Sequence, residues 1–273
     1  MSETSGYVAL RGDGISRVYG SRRARFTAVK PLDFEVNSDS AIGIVGESGS
    51  GKSTLSRMLV GLESVSSGAV TCNGANIAGF TRSLTGRIDF RRAVQFVAQD
   101  TSSSFDPRRT LADAVSTPLR VLRDSTGSEA EDRIAEVLRL LRLDPKHLKR
   151  YPGEVSGGQR QRFALARSLV VRPKILLCDE VVSALDVSVQ GAVLNMLKDY
   201  CESNQVGLAF VSHGLPATAF VSRELVVMQH GEIVERGETE QVLNDPQHAY
   251  TARLLDAHRR NRRIAVSGAE VAR

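Results

Sequence analysis

The run Ala41-Ile42-Gly43-Ile44-Val45 passes directly into Gly46-Glu47-Ser48-Gly49-Ser50-Gly51-Lys52-Ser53. The first five residues are apolar throughout, as expected of a strand covered on both faces. The next eight match a glycine-rich phosphate loop. There, glycines let backbone N–H groups converge on phosphate oxygens, and the following helix adds the positive potential of its N-terminus. In that pattern Lys52 reaches the β- and γ-phosphates, and the Ser53 hydroxyl serves a Mg²⁺ ion. A buried strand that feeds a helix through such a loop places the chain among α/β folds.

The rest of the chain reads coarsely. Val8 to Val36 carries short β-type runs, with clear alternation over Leu32-Asp33-Phe34-Glu35-Val36. A helix is expected from about Gly51 to Leu62, then a Ser66-Ser67-Gly68 turn and a strand near Ala69 to Cys72. Ala93 to Ala98 and Lys174 to Cys178 read as two further buried strands. Between them, Leu111 to Leu122 and Glu129 to Leu143 have helical apolar spacing, with Ser128 and Glu131 expected to form a capping box. This insert, about Asp100 to Leu169, reads as a separate helical lobe. Asp186 is placed to cap a helix from Val187 to Tyr200, and Gly207 to Val211 is another buried strand. Leu225 to Met228 and Glu232 to Glu235 form a hairpin through His230-Gly231. From about Arg259 the chain is polar and aperiodic, and disorder is expected.

The 273 residues suffice for a sizeable core, and 41% hydrophobic with 25% charged residues is an ordinary globular balance. No apolar run approaches the roughly 18 to 20 residues of a membrane helix. Met1 to Tyr7 lacks a secretory pattern, so the reading is a cytosolic protein. Cys72, Cys178 and Cys201 have no metal-ligand spacing and read as structural thiols. The net charge of +5 raises the question of nucleic acid. Much of the excess, however, sits at Arg253, Arg259, Arg260, Arg262 and Arg263. That cluster reads as a solvated terminal face, with contact to acidic lipid headgroups as the alternative.

Ile175-Leu176-Leu177-Cys178-Asp179-Glu180 is an apolar strand ending in two carboxylates. Strand ends beside a phosphate loop are where a metal carboxylate belongs. Asp179 would hold Mg²⁺ through its water shell and Glu180 would polarise an attacking water, a division of labour that suits hydrolysis more than simple binding. A second glycine turn, Ser156-Gly157-Gly158-Gln159, leads into a basic helix with Arg160, Arg162 and Arg167. By the same helix-end argument it is a candidate anion site. The phosphate held by Lys52 is already enclosed, so this turn is expected to act in trans, capping the γ-phosphate of a partner subunit.

This constellation resembles the ATP-binding-cassette ATPases over nearly the entire chain. Ser156 to Gln159 is similar to that family's signature motif, with Val155 where leucine or phenylalanine is more usual. Gln99, in Val97-Ala98-Gln99-Asp100, resembles the lid glutamine that contacts the metal and the lytic water, and His213 resembles the switch histidine on the γ-phosphate. Ser183-Ala184-Leu185-Asp186 resembles the loop that crosses the dimer interface. Tyr19 is in place to stack on adenine, with Phe26 as a second candidate; Thr54 completes the nucleotide-binding set. Val181 and Gly214 stand where proline and aspartate are common, and the glycine is expected to loosen the histidine turn without loss of function. The resemblance implies an α/β fold: a RecA-like P-loop NTPase core with an antiparallel β subdomain and a helical subdomain (about 100–169). Residues 1–258 would form one cassette and 259–273 a disordered basic tail.

Longer strings are similar to the oligopeptide, dipeptide and nickel importer branch: Arg150 to Arg162, Ser104-Phe105-Asp106-Pro107-Arg108, Val187-Ser188-Val189-Gln190, and Asn244-Asp245-Pro246-Gln247-His248-Ala249-Tyr250-Thr251. The last resembles a C-terminal extension, about 240–258, that in some relatives carries an iron–sulfur cluster. No cysteine follows Cys201, so no cluster is expected here. The implied machine uses ATP and Mg²⁺ at the cytoplasmic face of the membrane. It contains a second cassette (a copy of this chain or a paralogue), two membrane-spanning permease subunits and an extracytoplasmic binding protein. The groove over Gln99 to Arg109 would receive a permease helix, and no nucleic-acid partner is expected. The alternative is a cassette serving a soluble assembly such as a phosphonate-cleaving lyase.

Overall fold

The computed structural model describes residues 6–21, 24–80, 83–100, 103–123, 126–183 and 185–258. The expected disordered tail, four of the five clustered arginines and Ala184 lie outside the described residues.

Two long strands, β1 (Ala9–Ser21) and β2 (Ala24–Asn37), pair antiparallel where several short runs were expected. Irregular register between Gly12 and Val18 interrupts their alternation, which explains the broken pattern in the sequence. β3 (Ala41–Val45) ends at the phosphate loop, and α1 (Lys52–Leu59) follows it. α1 stops before Leu62 because Gly61 adopts φ 71°. Leu62 N–H then donates to the Arg57 carbonyl and Gly61 N–H to that of Met58, a Schellman ending. β4 (Ser67–Cys72) and β5 (Ala75–Asn76) complete the first sheet, in the order β2-β1-β4-β5. Ser67 and Gly68, expected in a turn, lie in β4. Gly68 has φ 77°, and a side chain there would strike the Asp13 and Gly14 carbonyls.

After α2 (Ile77–Phe80) and α3 (Leu84–Ala93), β6 (Val94–Val97) enters the second sheet. The helical segment then comprises α4 (Leu111–Pro118), a wider π turn (Leu119–Arg123), α5 (Ser128–Leu140) and α6 (Gly157–Leu169). The expected Ser128–Glu131 capping box is absent. Gly127, at φ 68°, is the residue that enters α5, so Ser128 already lies in the first turn and no side chain caps it. Capping boxes occur instead at Thr110–Asp113 and Ser156–Gln159.

The remaining elements are β7 (Ile175–Asp179), α7 (Val187–Asn204), β8 (Gly207–Val211), α8 (Leu215–Val221), β9 (Glu224–Gln229), β10 (Glu232–Glu238) and α9 (Thr239–Asn244), followed by a helix over 249–258. Asp186 occupies the position before α7 but makes no side-chain cap bond. β9 and β10 form the expected hairpin, with His230 and Gly231 both at positive φ.

The second sheet runs β10-β9-β3-β8-β7-β6, parallel except for β10. Alternation along its central strands sorts side chains into two cores. Ile175, Leu177, Ala209 and Val211 join α1 and the first sheet. Leu176, Cys178, Leu208 and Phe210 join α7 and the helical segment, including Phe105, Leu111, Val137 and Phe163. The helical segment therefore shares a continuous core with one face of the sheet. All three cysteines are buried free thiols.

Where β2 leaves the first sheet, its backbone presses on the start of β8: a side chain at Gly207 would lie 1.8 Å from the Asn37 carbonyl oxygen. Backbone cannot swing aside. Gly207→Ala is expected to cost about 1–3 kcal/mol in urea unfolding, the usual scale of overpacking. Gly191→Ala, in open space on α7, should instead be neutral or stabilising by up to about 1 kcal/mol.

Candidate phosphate site and its acidic strand end

The phosphate loop turns through three glycines at positive φ: Gly46 (152°), Gly49 (80°) and Gly51 (104°). Gly46 also has no room for a side chain, which would sit 2.2 Å from the Met228 carbonyl oxygen. Inside the loop, Lys52 Nζ donates to the Gly46 and Glu47 carbonyls at 2.8 and 2.7 Å and to Ser50 Oγ at 3.3 Å. Burial lowers the Lys52 pKa from its ordinary value, while Glu180, Asp179 and Glu47 pull it back up. Outside the loop, Gly231 N–H at the hairpin tip donates to the Ser50 carbonyl, and Glu47 N–H donates to the Tyr250 hydroxyl at 3.0 Å.

The two carboxylates at the end of β7 lie in different surroundings. Asp179 is fully buried; its Oδ1 accepts from Ser53 Oγ at 2.8 Å, while Oδ2 has no hydrogen-bond partner. The guanidinium of Arg57 stands 3.9 Å from that second oxygen. Burial raises the Asp179 pKa, opposed by the Ser53 bond and by Arg57. Glu180 turns away through a left-handed backbone, φ 51°, and its N–H still pairs with the Val211 carbonyl. Its Oε2 accepts from Gln99 Nε2 at 2.6 Å and lies 3.3 Å from His213 Nδ1. The turn carrying His213 is closed by Gly214 N–H donating to Ser212 Oγ at 2.9 Å.

These groups border one open cavity of about 680 Å³. Ser48, Gly49, Gly51, Lys52, Ser53, Thr54, Gln99, Glu180 and His213 line it, with Tyr19 and Phe26 at one side. Tyr19 and Phe26 are cross-strand partners in β1 and β2, and the Arg17 guanidinium sits 4.6 Å over the Tyr19 ring. The site is thus part aromatic wall and part polar floor. A planar apolar group and a polyanion fit it together.

The second glycine turn lies elsewhere. Ser156 and Gly157 are exposed, Ser156 Oγ accepts from Gln159 N–H at 3.2 Å, and Gln159 Oε1 accepts from Ser156 N–H at 3.0 Å. Beside it lies Leu185, whose side chain approaches Gly158. None of these residues lines the cavity of the same chain.

Among the described residues no cluster of three or more His, Cys, Asp or Glu could hold a metal. A cation at this site would rest on one hydroxyl and one carboxylate, with phosphate oxygens completing its shell, which is the habit of Mg²⁺. The orphaned Asp179 Oδ2 fits that demand. The reading of the sequence missed the supports of the loop: Gly231, Met228 and above all Tyr250. Each is distant in the chain and meets the loop at its backbone atoms, so no local pattern announces it.

Comparison with known proteins agrees with this geometry. The ABC transporter family model matches residues 29–183. The glutathione import ATP-binding protein GsiA of Escherichia coli (strain K12) is 41% identical over 231 residues, 84% of this chain and 37% of the relative. This chain therefore spans well under half of that protein's length. The oligopeptide transport ATP-binding protein OppF of Lactococcus lactis subsp. lactis (strain IL1403) is 37% identical over 230 residues, 84% of this chain and 72% of the relative. Among solved structures, the dimeric bacterial ABC transporter cassette MJ0796 superposes with a TM-score of 0.77, covering 84% of this chain and 98% of that one at 24% identity. A core centred on the phosphate loop, an acidic strand end facing it and relatives of this likeness identify the chain as a member of the ABC transporter family.

Proposed function

We propose that this chain is the ATP-hydrolysing, energy-coupling subunit of an importer of the oligopeptide, dipeptide and nickel type. The observation that carries the reading is the convergence of Lys52, Ser53, Glu180, Gln99 and His213 on one cavity with an aromatic wall, with Asp179 bonded to Ser53 from behind it. GsiA, named a glutathione import ATP-binding protein, and OppF, named an oligopeptide transport ATP-binding protein, support the importer branch over a soluble lyase assembly. Residues 1–258 form the cassette, with its helical subdomain at about 100–169 and its extension at about 240–258.

In this reading Tyr19 stacks on the adenine, Gly46 to Thr54 enclose the phosphates and Lys52 binds the β- and γ-oxygens. Ser53, Asp179 and Gln99 would hold Mg²⁺, which would supply charge neutralisation on the phosphate oxygens. Glu180 orients the attacking water and takes its proton as the new P–O bond forms and ADP departs. Gln99 and His213 fix the Glu180 carboxylate until nucleotide arrives, and His213 then serves the γ-phosphate. Ser156, Gly157, Gly158 and Gln159 act in trans on the nucleotide of a second cassette, with the Ser183, Leu185 and Asp186 loop lining that interface. Their absence from the cavity of their own chain supports this division. ATP favours the closed pair, hydrolysis releases it, and two permease subunits at the cytoplasmic face convert the cycle into uptake from an extracytoplasmic binding protein.

Three outcomes test this. Glu180→Gln should lower turnover by roughly 10² to 10⁴ while ATP still binds; retention of most turnover would remove Glu180 from the role. Ionising Asp179 carries a burial penalty at neutral pH, relieved as pH falls through its raised pKa or when a cation binds. Asp179→Asn should therefore raise the melting temperature without Mg²⁺ and abolish any Mg²⁺-dependent rise with ATP; the same Mg²⁺ response in both chains would refute the assignment. Finally, Lys52→Ala and Ser156→Arg chains, each inactive alone, should recover part of one site on mixing. No recovery at any ratio would count against self-pairing.

A further inference from the structure

One peptide plane ties the phosphate loop to the far end of the chain. The peptide between Gly46 and Glu47 offers its carbonyl oxygen to Lys52 Nζ at 2.8 Å and its N–H to the Tyr250 hydroxyl at 3.0 Å. In a trans peptide these two groups point in opposite directions, so any rotation of the plane disturbs both bonds at once. The Tyr250 hydroxyl is firmly delivered. Its side chain is 3% exposed and packs in one apolar cluster with Val45, Leu215, Leu225, Val227, Val242 and Leu255.

Two members of that cluster are telling. Val45 immediately precedes the phosphate loop, and Leu215 lies two residues after His213. The last described turn of the same helix adds a polar contact there: Leu215 N–H, at the start of α8, donates to His258 Nε2 at 3.4 Å. At the other end, the turn entering the helix is pinned by Glu235 of β10, whose carboxylate accepts from Gln247 N–H at 2.7 Å and His248 N–H at 3.1 Å. The helix over 249–258 is therefore anchored before it begins and touches both sides of the cavity from behind.

We propose that this helix is a strut between the phosphate loop and the histidine turn, with Tyr250 a positioning residue for Lys52 and His258 a positioning residue for His213. Neither residue lines the cavity, so neither acts on nucleotide directly. The inference rests on the reading of that cavity as an ATP-hydrolysing site. The strut's two ends should appear in different constants. Lys52 grips the nucleotide in ground and transition states alike, so loosening it weakens binding. The histidine turn completes the machinery around Glu180, so loosening it slows the chemical step.

The test compares Tyr250→Phe and His258→Ala with the unmodified full chain, measuring ATP dissociation constants, KM, kcat and melting temperature. Tyr250→Phe keeps the buried ring and removes one acceptor. Its Kd and KM for ATP should rise about three- to tenfold, the fold-change of one net hydrogen bond, with kcat within about twofold. His258→Ala should lower kcat about three- to tenfold with Kd within about twofold, and His258→Gln, which keeps an acceptor, should recover most of it. Changes confined to melting temperature, or Kd and kcat moving together in both variants, would reduce the helix to packing and overturn the proposal. An unmodified chain that fails to bind ATP would bring down the functional reading, and this inference with it. A chain that binds and hydrolyses ATP but shows no split loses the strut alone.

Discussion

The Lys52 ammonium is the charge around which the site is arranged. It is almost completely buried, and an ammonium taken from water costs several kcal/mol unless its hydrogens find oxygens. Here they find the carbonyls of Gly46 and Glu47 and the Ser50 hydroxyl, all within the loop that the lysine closes. Loop and lysine thus stabilise each other: the carbonyls converge only if the glycines adopt positive φ, and the convergence is tolerable only with a cation inside. Remote segments then fix the outer face. The β9–β10 hairpin tip holds the Ser50 carbonyl, the Met228 carbonyl crowds Gly46, and Tyr250 holds Glu47 N–H.

The same economy separates two adjacent acids. Asp179 is the last residue of β7 and keeps strand geometry, which carries its side chain inward to Ser53. One residue later the backbone turns left-handed at Glu180 and sends the second carboxylate to Gln99 and His213. Neighbours in sequence therefore occupy different media, one desolvated with an orphaned oxygen, the other at the edge of an open cavity. In the proposed reading, environment rather than residue type would make one a cation ligand and the other a base.

Several elements were legible because their physics is local. The apolar run 41–45 declared a doubly covered strand, the glycine–lysine–serine spacing declared the loop, and His230-Gly231 declared a tight hairpin turn. Errors arose where one residue's conformation decided the outcome. Gly61 ended α1 early, Gly127 displaced the cap of α5, and Gly68 placed a supposed turn inside a strand. A glycine's φ is not written in its neighbours, since the residue accepts either sign. The long β1–β2 pair was likewise hidden, because its irregular register breaks the period of two that a reader looks for.

From its residues alone this chain determined a phosphate loop on a buried strand, an acid pair at a second strand end and a glycine turn before a basic helix. Each is a short-range pattern whose chemistry follows from residue type and spacing. Tertiary structure alone decided which of them share a cavity: strand order sets β7 and β8 beside β3, and so brings Glu180 and His213 to the Lys52 cavity and Asp179 to Ser53 behind it, while the second glycine turn stays apart. It also decided that residues 249–258 support the loop from behind. That contact spans 203 positions and runs through a backbone N–H, a group every non-proline residue carries and no sequence pattern can single out.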